Sequence, residues 1–198
     1  MVNKFTAGPG SLYSAGGQRK YLTADERQRF LSAAISCPRA EVRTLCLTLV
    51  YTGCRISEAL ALTVANIECE GGFIAIRCLK KRSGAIVMRE VPVPANLLNA
   101  LARVHDLANM DRGTRLWNFG RCRAWQLVKS VMAQAGICEG IHATPKGLRH
   151  GFGLHAIRSG VPINLVQRWL GHASMTTTAI YLQAMGYEER EIAARMWL

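Results

Sequence analysis

Apolar positions recur at helical spacing along most of the chain and alternate at strand spacing in one short stretch. Thr23, followed by Asp25 and Glu26, is a helix N-terminus signal, and Phe30, Leu31 and Ala34 share one face of the helix it opens. A second helix over about 39–51 carries Val42, Leu45, Cys46, Leu49 and Val50 as a wide apolar stripe, and Gly53 ends it with a turn into 56–62. The period then changes. Phe73, Ile74, Ala75 and Ile76, and residues 85–93, predict two β-branched strands joined by a polar turn at Arg82-Ser83-Gly84, with Lys80-Lys81-Arg82 at the hairpin tip. From Pro94 helical periodicity returns over about 95–107, 121–135, 145–159, 162–170, 174–183 and 187–196. The expected fold class is α+β, mainly α: a helical domain with one small antiparallel sheet. Residues 1–20, rich in Gly and Ser, predict a flexible tail, and 21–198 a single domain without internal repeats.

Composition adds a partner. The 198 residues, 49% hydrophobic, suffice for one core. A net charge of +12 points to nucleic acid or an anionic membrane surface. Charges interrupt every long apolar stretch, so no helix is expected to span a membrane and double-stranded DNA is favoured. The charge is concentrated: residues 71–187 hold 15 Lys and Arg against Glu90, Asp106, Asp111 and Glu139. Seven cysteines, an odd number with no pair at two-residue spacing, predict free thiols in a reduced compartment and no metal site. The expected location is cytoplasmic, beside the nucleoid.

The chemistry lies in the forty residues from Thr144 to Gln183, which contain Lys146, Arg149, His150, His172 and Tyr181 but no Asp or Glu. Such a stretch offers no carboxylate to a catalytic metal, yet it is rich in groups that grip or attack phosphate. Lys146 and Arg149, three apart after Thr144-Pro145, can converge with the helix N-terminus on one anion. Earlier in the chain Arg55 follows a glycine turn, with Glu58 one helical turn on. Taken alone these are a commonplace surface pair, but a phosphate fork held by its glutamate is the alternative. His150 supports the site; His155 is expected to be structural, and His105 and His142 to lie on the surface. Leu170-Gly171-His172-Ala173-Ser174 puts His172 at a junction between helices, nine residues before Tyr181.

The combination Thr52-Gly53-Cys54-Arg55-Ile56-Ser57-Glu58, a hairpin lysine, Lys146-x-x-Arg149-His150, Leu170-Gly171-His172 and Thr178-x-x-Tyr181 resembles the catalytic domain of the tyrosine recombinase, or phage integrase, family, from Tyr21 to about Glu191. The resemblance implies a tyrosine recombinase/type IB topoisomerase-like fold and a site-specific recombinase or integrase of a mobile element. Such an enzyme cuts and rejoins DNA through a covalent 3′-phosphotyrosine, without metal, ATP or other cofactor. It implies that Arg55 and Arg149 hold the non-bridging oxygens of the scissile phosphate, that His172 hydrogen-bonds the same phosphate, and that Tyr181 is the nucleophile. Lys80 matches the hairpin lysine that protonates the leaving oxygen, and Lys81, one register step away, is its alternative. Lys80, Lys81, Arg82, Lys146 and Arg149 would contact DNA. It further implies a dimer or tetramer on DNA.

Two departures qualify the resemblance. The family commonly has histidine where this chain has Lys146. Lysine is ordinarily protonated at neutral pH, so Lys146 is either a desolvated base or a stabiliser of phosphate charge. The N-terminal helical domain that clamps DNA in relatives has no counterpart in residues 1–20, so a catalytic domain alone is expected, with a partner protein as one source of the clamp. Two other functions fit the same residues. One is relaxation of supercoils in the manner of a type IB topoisomerase. The other is a non-catalytic DNA binder using 148–159 and 163–170 as a helix-turn-helix.

Overall fold

The structure is a computed structural model that describes residues 11–78 and 87–182. The expected hairpin tip, Lys80, Lys81 and Arg82, and the helix expected over 187–196 lie outside the described residues.

Eight helices are described: α1 (Ala24–Ile35), α2 (Ala40–Thr52), the single turn α3 (Ile56–Ala59), α4 (Ala95–Val104), α5 (Arg121–Gln134), α6 (Pro145–Arg158), α7 (Ile163–Leu170) and the short α8 (Met175–Ala179). Between α3 and α4 lie the strands β1 (Ile67–Glu68), β2 (Phe73–Arg77) and β3 (Met88–Pro92), antiparallel in the order β1-β2-β3. The class is therefore α+β and mainly α, as the periodicities predict.

The starts of the helices follow local chemistry. Thr23 caps α1 in a complete capping box with Glu26. Thr144 accepts from the Gly147 amide at the start of α6, where Pro145 occupies the first turn. Gly53 ends α2 at φ 60°, a left-handed conformation, and a Cβ there would meet the Phe152 ring at 2.5 Å. Two separate demands thus fix glycine immediately before Arg55.

Two apolar clusters form behind these elements. The larger gathers α1, α2, α4 and α5 with Ile74, Ile76 and Val91 of the sheet. α2 runs through it with Leu45, Cys46, Leu49 and Val50 all buried. The smaller joins Phe152, Leu154 and Ile157 of α6 to Val166 and Leu170 of α7 and to Tyr181.

Several expectations need correction. Part of the tail assigned to 1–20 is an ordered strap: Tyr13 and Arg19 form a β-bridge, and Leu12, 2% exposed, belongs to the smaller cluster. Arg19 grips both carboxylate oxygens of buried Glu26, so the strap is fastened by a charge pair that its glycine-rich composition conceals. The helix expected over 95–107 stops at Val104, before Asp106 at φ 47°, and the one expected over 174–183 stops at Ala179. β1 was not expected. No described helix is long and apolar enough to cross a membrane.

Candidate functional site: a cationic pocket beside a buried tyrosine

Arg55 stands at the N-cap of α3, half-exposed, on the α2–α3 turn that Gly53 makes possible. Its Nη1 donates to Glu58 Oε1 at 2.7 Å, and its backbone amide donates to Glu58 Oε2 at 2.9 Å. The Glu58 side chain is wholly buried, and its second oxygen also accepts from Arg89 Nη2 at 2.6 Å. Burial alone would push this carboxyl up, but the adjacent Arg89 and Arg55 outweigh it and hold Glu58 below the usual carboxylate range. It stays ionised and grips two guanidiniums.

Arg149, on α6 and 6% exposed, donates from Nη1 to the Gly53 carbonyl at 2.9 Å and from Nη2 to the Leu170 carbonyl at 2.6 Å. Among the described residues it forms no ion pair. Burial, with Arg55 nearby, lowers it to about 10, so it remains charged at neutral pH while its partners are neutral carbonyls. A cation held this way is set for an arriving anion.

Tyr181 follows α8 and is fully buried. Its ring fills a slot that Gly153 leaves on α6, where a Cβ would lie 2.5 Å from Cζ. His150 Nδ1 hydrogen-bonds its hydroxyl at 3.2 Å, and the His172 ring lies nearly parallel to it, 16° from coplanar with centroids 6.4 Å apart. His172 Nδ1 in turn contacts Thr178 Oγ1 at 2.9 Å. Burial raises the phenol to about 12 against the opposing pull of Arg149 and Arg55. Burial and the same arginines lower His172 to about 3, and burial with Lys146 and Arg149 lowers His150 to about 4. Both imidazoles are thus neutral at pH 7.

The structure gathers Arg55, Glu58, Arg149, His150, His172 and Tyr181 from four separate parts of the chain. Lys146 is exposed on the first turn of α6, one turn before His150. Lys80, Lys81 and Arg82 lie outside the described residues. The other histidines differ from expectation: His105 is half-buried, with Nε2 3.0 Å from Thr44 Oγ1 and its ring edge-on to Trp117. His142 lies 3.4 Å from Glu26 Oε1, whereas His155 is exposed. In each case a tertiary neighbour, or the lack of one, decided what the helical spacing left open. Among the described residues no group of three or more His, Cys, Asp or Glu is gathered as metal ligands.

The sequence reading missed Arg89 and Gly153, and quoted Thr178 only as a motif residue without its contact to His172. For Arg89 a signal existed: in Met88-Arg89-Glu90-Val91 the arginine shares the inward face of the strand with Val91, an unusual place for a charge. Gly153 carried no comparable mark.

The Phage integrase family model matches residues 20–186. Tyrosine recombinase XerD of Mycobacterium tuberculosis is 35% identical over 161 residues, which cover 75% of this chain and 50% of the relative. Tyrosine recombinase XerA of Pyrococcus furiosus is 30% identical over 184 residues, 89% of this chain and 61% of the relative. The chain thus spans half to three-fifths of the length of these relatives. A crystal structure of XerA recombinase superposes with a TM-score of 0.70 at 28% identity, covering 89% of this chain and 64% of that one. The catalytic domain of bacteriophage HP1 integrase, 23% identical, shares the fold with a TM-score of 0.65 over 82% of this chain and 86% of its own.

Proposed function

The chain belongs to the phage integrase family, and on that premise we propose that it is the catalytic unit of a site-specific DNA recombinase. Tyr181 Oη attacks the scissile phosphorus as its proton passes to solvent water, the bond to the 5′-oxygen breaks, and the strand is held as a 3′-phosphotyrosine. A 5′-hydroxyl from another strand then reverses the step. The phosphodiester bond energy is conserved, so the reaction needs no nucleotide cofactor.

Arg55 and Arg149 meet the non-bridging oxygens, whose charge grows in the pentacoordinate transition state. His172, neutral, donates a hydrogen bond to the same phosphate. Lys80 or its neighbour Lys81 gives a proton to the leaving oxygen. Lys146, exposed at the mouth of the site, stabilises phosphate charge and contacts DNA. Double-stranded DNA is the substrate, and a dimer or tetramer assembled on it is the working form.

One observation carries the reading: two guanidiniums from distant segments, one on neutral carbonyls and one aimed by a buried carboxylate, are gathered with a buried tyrosine whose hydroxyl a histidine holds. The fully buried ring also implies a preceding motion, because no DNA phosphate can reach it in its Gly153 slot. α8 must shift before attack, and a helix of five residues ending two residues before the tyrosine is suited to do so.

The test is a randomised pool of nicked duplexes incubated with the full chain in a chelator. The wild-type protein should yield a denaturant-resistant protein–DNA adduct, and Tyr181→Phe should bind DNA but give none. An adduct that survives in Tyr181→Phe would overturn the nucleophile. Binding without an adduct in the wild type would leave a DNA-binding protein. Exchange between two captured sites, and not relaxation of plasmids lacking them, is the result expected of a recombinase.

A further inference from the structure

Arg89 belongs to none of the motifs that mark the pocket, yet it is the most thoroughly buried arginine in it. The pairing of Ile76 with Arg89 in the β2–β3 ladder sends its side chain to the inner face beside Val91, where only 2% of it stays exposed. A buried guanidinium is costly to desolvate, and apolar residues of similar volume often fill such a place without loss of stability. Its presence calls for a role that a hydrocarbon could not take.

Its donors diverge to three elements. Nη2 reaches Glu58 Oε2 at 2.6 Å, Nε reaches the Trp169 carbonyl at 2.7 Å, and Nη1 reaches Cys78 Sγ at 3.1 Å. The first contact fixes the carboxylate whose other oxygen holds Arg55. The second fixes the end of α7 one residue before Leu170, whose carbonyl receives Arg149, and three before His172. The guanidinium also lies against the left-handed Gly171 turn, where a Cβ would come within 3.1 Å of Nη1.

We propose that Arg89 is a positioning residue for strand cleavage: through Glu58 it aims Arg55, and through the Trp169 carbonyl and the Gly171 turn it sets the segment that orients Arg149 and His172. This inference rests on the strand-exchange reading above.

The test uses the full chain with a nicked duplex captured by the wild type, under single turnover and saturating DNA. Arg89→Met should slow adduct formation roughly 100-fold, the scale of a misplaced catalytic group, while DNA affinity changes only a few-fold. Arg89→Lys, which keeps a charge for Glu58 but cannot span all three partners, should recover part of the rate. The deciding measurement replaces one non-bridging oxygen of the scissile phosphate with a methyl group, which removes the charge that Arg55 meets. The ratio of wild-type to Arg89→Met rates should then fall towards one, and Glu58→Gln should show the same convergence. A ratio that stays the same on both substrates would reduce Arg89 to a structural residue, and a wild-type rate in Arg89→Met would remove it altogether. Should Arg89→Met fail to fold, the same ratio measured on Arg89→Lys decides. Absence of any Tyr181-dependent adduct in the wild type is a different outcome: it overturns the recombinase reading and this inference with it.

Discussion

The cations of the site and its proposed nucleophile, Tyr181, are held in opposite ways. Arg55, Glu58, Arg89 and Arg149 are locked by short charged or carbonyl hydrogen bonds onto α2, α3, α6 and the sheet, alongside the main core. Tyr181 is held by a satellite cluster, by one hydrogen bond to His150 and by the fit of its ring over Gly153. The cations are set before substrate arrives, as electrostatic stabilisation requires. The proposed nucleophile is held by apolar packing and a single hydrogen bond to a neutral imidazole, contacts that can be released without disturbing the charges. On the strand-cleavage reading, the difference teaches that rigidity belongs to the part that must not reorganise during reaction, and looseness to the part proposed to travel.

Four changes would break or sharpen that contrast. The largest effect is expected for Glu58→Ala, which leaves Arg89 buried without its carboxylate. Chemical denaturation should show a loss of about 3–5 kcal/mol, as for other buried pairs deprived of one partner. A loss below about 1 kcal/mol, the scale of an exposed ion pair, would mean that the cationic side is not locked. Next, Leu12→Ala removes the strap from the satellite cluster and should cost about 2–4 kcal/mol. Hydrogen exchange should quicken in α7 and α8 and not in α2; uniform quickening would mean that the two regions are one cooperative unit.

A smaller effect is expected from Gly153→Ala. Its methyl group occupies the space of the Tyr181 ring, at a cost of about 1–3 kcal/mol from overpacking, partly offset by the better helix propensity of alanine. If the tyrosine is merely stored in the slot, chemical nitration of Tyr181 should become faster; unchanged nitration would place the ring's hold elsewhere.

The smallest effect concerns pH. His150 and His172 are lowered to about 4 and 3, whereas in the unfolded chain they titrate near 6.5. Between those values the unfolded state binds more protons, so stability is complete above about pH 6.5 and falls as pH drops towards 4, by on the order of 1 kcal/mol once solvent screening is allowed for. The thermal midpoint should decline across that window, and His150→Gln with His172→Gln should flatten the decline. Glu26, lowered to about 2, acts only further down, as pH falls below about 4.5.

Helix boundaries near strong caps were legible, because a cap is a local event: Thr23 with Glu26, Thr144 with Pro145, and Gly53 each act within a few residues. The members of the pocket were legible for a different reason. The motif around Arg55 and the acid-free run through Arg149, His172 and Tyr181 keep their spacing in the chain, and the family resemblance named them before any coordinate did.

What the sequence determined by itself was therefore which elements form and which side chains carry charge or a hydroxyl. Tertiary structure alone decided where each group stands. Residue 89 became the buried hub because the β2–β3 register turns it inward. Among the described residues Arg149 forms no ion pair, because folding brings to its guanidinium the carbonyls of Gly53 and Leu170, 96 and 21 residues away in the chain. Tyr181 lies covered because Gly153, on another helix, has no side chain to exclude it. Spacing along the chain fixes local geometry at small entropic cost, but burial, charge compensation and shape complementarity depend on neighbours that only folding supplies.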